Sequence, residues 1–288
     1  MRCEGVKTMV NENKKKVSGW IVAIYVFFCF MVVVYLAPII WVVLSSLKTR
    51  KELIKTPFAF PTAPQWENYT FAWTAGKLGV AMRNSFIVCV VTLLLTMLVG
   101  SMAAFAIGKM RWKLANATMT YILIGMMIPV HCVLIPLFVR FAKIGLSNSL
   151  IGIIIPYLTF SLPVTIFIMT GFFRSIPNEL FESACIDGCS IYKMFFSIAL
   201  PLSRTGLFVT GLMTFVNNWN ELLMAMVFIS DDMKKTLPVA LSKFVGPYQT
   251  NYAQMFAAIV IAIIPTIIVY SAFSNQIVDG LTQGAVKG

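Results

Sequence analysis

The chain has 288 residues, 59% of them hydrophobic and only 12% charged, with a mean hydropathy of +0.84. A soluble domain carries about 25% charged residues, so this balance excludes an ordinary soluble protein and predicts one all-α integral membrane domain. The net charge of +12 comes from Lys and Arg scattered through connecting segments with no aromatic-interleaved patch, which argues for anchoring beside anionic membrane lipid and against nucleic acid.

Residues 1–19 are polar and basic, with Lys14, Lys15 and Lys16 before the first apolar run. That run, Trp20–Leu47, has 28 residues, well beyond the apolar core of about 7–15 in a signal peptide, and is expected to be an uncleaved first span. Residues 48–83 form a loop with Pro57, Pro61 and Pro64 and an Asn68-Tyr69-Thr70 sequon, idle in a bacterial source. The uncharged run Asn84–Ile107 is the second span. Gly108-Lys109 imitates a phosphate-binding loop, but Ala103 replaces its first Gly and Met110 its Ser or Thr, so no ATP site is assigned to this chain.

The third span is expected at Leu114–Phe141 and the fourth at Leu150–Phe173, each with two prolines seven residues apart: Pro129 and Pro136, then Pro156 and Pro163. Two turns separate each pair, so each lies on one face. Two readings stand equally: prolines tolerated because neighbouring groups re-satisfy the freed backbone, or kinked helices that flex during gating. The fifth span, Gly206–Ile229, carries Thr214, Asn217, Asn218, Asn220 and Glu221, of which Thr214, Asn217, Asn218 and Glu221 share a face. The sixth is Met255–Val278. Each span has at least 24 residues, about 36 Å of helix against a hydrocarbon core of about 30 Å. The expected division is a tail at 1–19, a six-span domain at 20–278 and a tail at 279–288. Six cysteines are present, three inside apolar spans. With no CxxC and a lone His131, free thiols are expected, with no metal site and no cofactor.

Between the fourth and fifth spans lies a polar stretch, Glu182–Pro201. Pro177 suits a first helical turn. Leu180, Phe181, Ala184 and Cys185 fall on one face. Gly188 stands where a helix stops by taking positive φ, and Ser190 can cap the next helix. An amphipathic helix held outside the bilayer has the shape of a docking element. The plain alternative is an ordinary surface helix between two spans.

This stretch closely resembles the cytoplasmic loop of binding-protein-dependent ABC importer permeases, whose pattern is Glu-Ala-Ala, three residues, Gly, nine residues, Ile-x-Leu-Pro. Glu182, Ala184, Gly188, Ile198, Leu200 and Pro201 match, and Ser183 replaces the middle Ala. Trp219-Asn220-Glu221 and the tail from Asp279 resemble the carbohydrate-uptake, maltose-system-type permeases, and Pro64–Tyr69 does so more weakly. The resemblance implies a permease subunit that takes up a sugar. It also implies a second homologous permease, two ATP-binding subunits that hydrolyse ATP on its behalf, and an extracellular solute-binding protein. It places a coupling loop at 174–201, with Glu182, Ser183, Ala184, Asp187, Gly188, Leu200 and Pro201 facing the ATPase. Asn217, Asn220 and Glu221 become translocation-path candidates. The protein would sit in a bacterial cell membrane with both termini cytoplasmic. Charge does not decide that orientation, since the interior segments hold 12 of the 23 Lys and Arg. The alternative from another class is an ion-coupled transporter or channel, for which buried ionisable groups are needed and only Glu221, His131 and Arg140 qualify.

Overall fold

Apolar helices dominate because a bilayer core offers the backbone no water, so a spanning segment must satisfy its own N–H and C=O groups. The computed structural model describes residues 19–245 and 251–285; the basic stretch with Lys14–Lys16, Cys3 and the last residues 286–288 lie outside the described residues. Within these the chain is all helical: α1 Gly19–Ser46, α2 Arg50–Lys55, α3 Glu67–Trp73, α4 Leu78–Lys109, α5 Ala115–Met126, α6 Val130–Lys143, α7 Leu150–Ser175, α8 Asn178–Ile186, α9 Ile191–Met194, a π-turn at Phe195–Ala199, α10 Leu200–Leu202, α11 Arg204–Trp219, α12 Leu223–Phe228, α13 Leu237–Ser242 and α14 Tyr252–Ala285.

Four helices, α1, α4, α7 and α14, are long and apolar enough to cross a membrane. Two bent pairs raise the number to six if each counts as one span: α5 with α6, bent by 91°, and Ile191–Leu202 with α11, bent by 80°. The expected third span is therefore not one straight helix. Proline disfavours helical backbone in the residue before it, and Pro129 takes φ −62° and ψ 126° as the cap of α6. Pro136, Pro156 and Pro163 stay inside helices, so one of the four prolines breaks its element. The expected fifth span is also interrupted: α11 ends at Trp219, and Glu221 falls in the break before α12. Downstream, α14 continues as helix through Ala285, past Val278, where the sixth span was expected to end.

The packing core is α4 against α7. Small residues let apolar helices approach closely where there is no water to drive them together. On α4 the buried Thr92, Thr96, Gly100 and Ala104 recur every fourth residue, and a Cβ at Gly100 would stand 2.9 Å from Thr165 Cγ2. By contrast α1 is apolar all round and almost wholly exposed, lying against α14 with the Trp41 and Phe256 rings 5.2 Å apart.

The connections are held by buried amides. Asn68 Nδ2 donates to the carbonyls of Ser46 and Lys48 at 2.8 and 3.0 Å, so the sequon's amide is already committed. The fully buried Lys48 donates from Nζ to the carbonyls of Thr56 and Pro57, both at 2.9 Å. Asn84 Nδ2 likewise donates to Met233 O at 2.9 Å and Lys235 O at 3.1 Å, tying the 229–236 connection to α4. There the Lys243 and Lys235 ammonium groups hold the Asp232 carboxyl well below the usual carboxylate range.

Candidate functional site

Two regions gather the polar residues singled out from the sequence. The first is α8 and its turn. Pro177 caps the helix with extended backbone. At the other end Gly188 has φ +74°, Gly188 N–H donates to Cys185 O at 3.1 Å and Cys189 N–H donates to Ala184 O at 2.9 Å. These are the 5→2 and 6→1 bonds of a Schellman motif, which needs a left-handed residue between them. Ser190 Oγ accepts from Lys193 N–H at 3.3 Å and so caps α9.

The expected apolar face of α8 divides. Phe181 and Ala184 turn inward, whereas Leu180, Cys185 and Ile186 are exposed. Phe181 meets Phe105 of α4 at 5.8 Å, and Phe105 also meets Phe173 of α7 at 5.8 Å and Phe195 of the π-turn at 5.5 Å. Off-parallel rings at such distances add about 0.5–1.5 kcal/mol per pair beyond their burial. Four elements thus meet in one aromatic cluster beneath α8. Lys109 completes the anchor. Its Nζ donates to Ile176 O and to Asn178 Oδ1 at 2.7 Å and stands 5.3 Å from the Phe181 ring centroid. Sequence reading tested Lys109 only against a nucleotide motif; its partners lie more than sixty residues downstream, where no local spacing could show them.

Outside this anchor, Glu182, Ser183, Asp187 and Gly188 are exposed. Glu182 pairs with Arg111 at 3.6 Å with both side chains mostly in solvent, an interaction worth about 0–1 kcal/mol. Leu200 and Pro201 lie apart from them, lining an apolar groove of about 690 Å³ with residues of α4, α11 and α14. Proline's missing N–H and its clash with the carbonyl four residues back explain why the chain just before Pro201 widens to a π-turn.

The second region is a cavity of about 220 Å³ between α7 and α11, and Thr214, Asn217, Asn218 and Glu221 all line it. The four residues therefore meet at one cavity, though not as one continuous helical face. Glu221 Oε1 accepts from Met224 N–H at 2.8 Å, and Oε2 accepts from Ala225 N–H at 3.1 Å and from the Tyr157 hydroxyl at 2.5 Å. The carboxylate caps α12 and ties it to α7. Because α11 stops at Trp219, residue 221 no longer continues the helical face. Asn220 is not part of this cavity: its Nδ2 donates to Val216 O at 2.9 Å, and its side chain lines a separate pocket with Leu237 and Ile259. Tyr157 escaped sequence reading because nothing local marks it.

Known proteins bear on this geometry in three ways. Residues 96–283 match the family model described as binding-protein-dependent transport system inner membrane component. Among curated proteins, the chain is 33% identical to the diacetylchitobiose uptake system permease protein of Streptomyces coelicolor, over 88% of this chain and 85% of that one. It is 36% identical to the sulfoquinovosyl glycerol transport system permease protein of Agrobacterium fabrum, over 88% and 89%. Its fold is similar to that in a crystal structure of a bacterial ABC transporter involved in the import of the acidic polysaccharide alginate, with TM-score 0.80 and 21% identity over 91% of this chain and 97% of that one. The helical membrane architecture, the capped loop helix and these matches agree: the chain belongs to the family of binding-protein-dependent transport system inner membrane components and is an ABC-transporter permease.

Proposed function

We propose that this permease is one of two homologous membrane subunits of an ATP-driven sugar importer, with α8 as the helix that docks on the ATPase. The observation that carries the docking role is the construction of α8. It is a nine-residue helix, stopped by a Schellman turn at Gly188, exposed along Glu182, Ser183 and Asp187, and fixed from below to α4, α7 and the π-turn by the Phe105 cluster and Lys109. A push on such a helix moves the spans it is bolted to, because packed aromatic cores deform little.

In this reading α5 with α6 counts as one span and α11 with α12 as another, giving six in the 20–278 domain, with the 1–19 and 279–288 tails and the 174–201 loop in the cytoplasm. Leu200 and Pro201 transmit motion into α11, and Asn217 and Glu221 line the path while Asn220 supports its outer wall. Relatives named for uptake of diacetylchitobiose, arabinooligosaccharides and trehalose support a di- or oligosaccharide as solute. A structure of the alginate transporter with an alginate-bound periplasmic protein supports delivery by an extracellular binding protein. The chain supplies the passage, and two partner subunits supply ATP hydrolysis. In cells, sugar uptake should survive an ionophore and stop on ATP depletion; the opposite pattern would establish ion-coupled transport instead.

A further inference from the structure

The cavity between α7 and α11 has a chemical character that its place in a transport path does not require. Its polar wall is made by Tyr157, Ser161, Thr214, Asn217, Asn218 and Glu221, and Phe160 adds an aromatic ring. Among the described residues that line it, Glu221 is the charged one and there is no Lys, Arg or His. Asn218 is 8% exposed, and its Nδ2 is buried without a partner. That wall gains a hydrogen bond if the amide turns toward an incoming hydroxyl, since an unpaired buried donor is costly. The volume, about 220 Å³, lies below the about 300–1,000 Å³ of sites that enclose drug-sized ligands, so it suits one ring of a longer molecule.

We infer that this cavity is a subsite for a single uncharged, hydroxyl-rich sugar ring, set by Ser161, Asn217, Asn218 and the Tyr157–Glu221 pair. Hydroxyls and amides both donate and accept, as a sugar's hydroxyl groups do. An anionic ring is refused because its charge would be buried against Glu221 with no cation to pair it, and a desolvated unpaired charge is strongly disfavoured. The inference takes from the importer reading only the class of solute.

The test uses the assembled complex carrying Ser161→Cys, with Cys185 kept as a second thiol and the other cysteines replaced by Ser. Maleimide labelling of both positions is followed by mass spectrometry in the presence of D-glucose, N-acetyl-D-glucosamine or D-glucuronate. Glucose and glucuronate differ at one carbon, hydroxymethyl against carboxylate. By mass action, labelling at position 161 is expected to slow about tenfold when a neutral sugar stands at about ten times its Kd, with position 185 unaffected and glucuronate without effect. Adding Asn217→Lys should make glucuronate protective. The inference is overturned if neither neutral sugar slows labelling at its solubility limit, or if glucuronate protects the unswapped site equally. Labelling needs no ATP. Loss of ATP-driven uptake with protection intact would therefore count against the importer reading alone, and loss of protection with uptake intact against the subsite alone.

Discussion

Replacing Gly188 by Val isolates the role of the α8 turn. Gly188 has φ +74°, and a Cβ built there meets no atom within 4 Å. The substitution therefore causes no clash with neighbours, and its cost is the left-handed backbone itself, about 1–2 kcal/mol for an ordinary L-residue and more for a β-branched one. At about 2 kcal/mol the population with the turn intact falls about thirtyfold relative to alternatives, at 1.4 kcal/mol per tenfold. What is lost is the pair of bonds from Gly188 N–H and Cys189 N–H to Cys185 O and Ala184 O, and with it the angle at which Glu182 and Ser183 are presented. The spans bury elsewhere, so Gly188→Val should insert at normal levels yet bind the ATPase weakly or hydrolyse ATP without moving solute. Uptake and ATPase activity are measured side by side in proteoliposomes with the binding protein present. Gly188→Asn, which visits positive φ more readily, should lie close to wild type. Wild-type uptake and ATPase in Gly188→Val would remove α8 as the coupling element, and an Asn variant as impaired as Val would show that backbone strain is not the cause.

Three further outcomes are expected. In a variant retaining only Cys185, which is exposed on α8, membrane-impermeant maleimide should label inverted vesicles and spare intact cells; labelling of intact cells would reverse the topology. Glu221→Gln keeps an oxygen for the Met224 N–H and should assemble at normal levels, whereas Glu221→Leu removes the cap of α12, worth about 0.5–2 kcal/mol, and should lower the amount of assembled complex; normal assembly of the Leu variant would deny the capping role. Deleting residues 280–288 should lower transport and ATPase coupling with assembly intact, and unchanged uptake would mark that end as a dispensable terminus.

Composition and the length of the apolar runs determined that the protein is an all-helical membrane domain, because a chain this poor in charge does not suit water and continuous apolar runs of at least 24 residues satisfy their own backbone as helices. Local chemistry was equally legible around α8. The helix stop at Gly188 and the cap at Ser190 depend on one residue's φ and one hydroxyl's reach, and both are present as expected. The run-length signal that marks a span cannot reveal a break inside it, since the hydrophobicity of Leu114–Phe141 is unaffected by a 91° bend. Pro129 starts a new helix while Pro136, Pro156 and Pro163 stay inside theirs, so the presence of a proline does not by itself place the break. The same limit applies to partners distant in sequence. Glu221 looked like a member of a face shared with Thr214 and Asn217, but the end of α11 at Trp219 turned it to Tyr157, sixty-four residues away. Lys109 became the anchor of α8 only when α4 and α7 were brought side by side. A side chain's type and its near neighbours fix what bonds it can make; which of those bonds form was set by the packing of helices, and only the tertiary structure contains that.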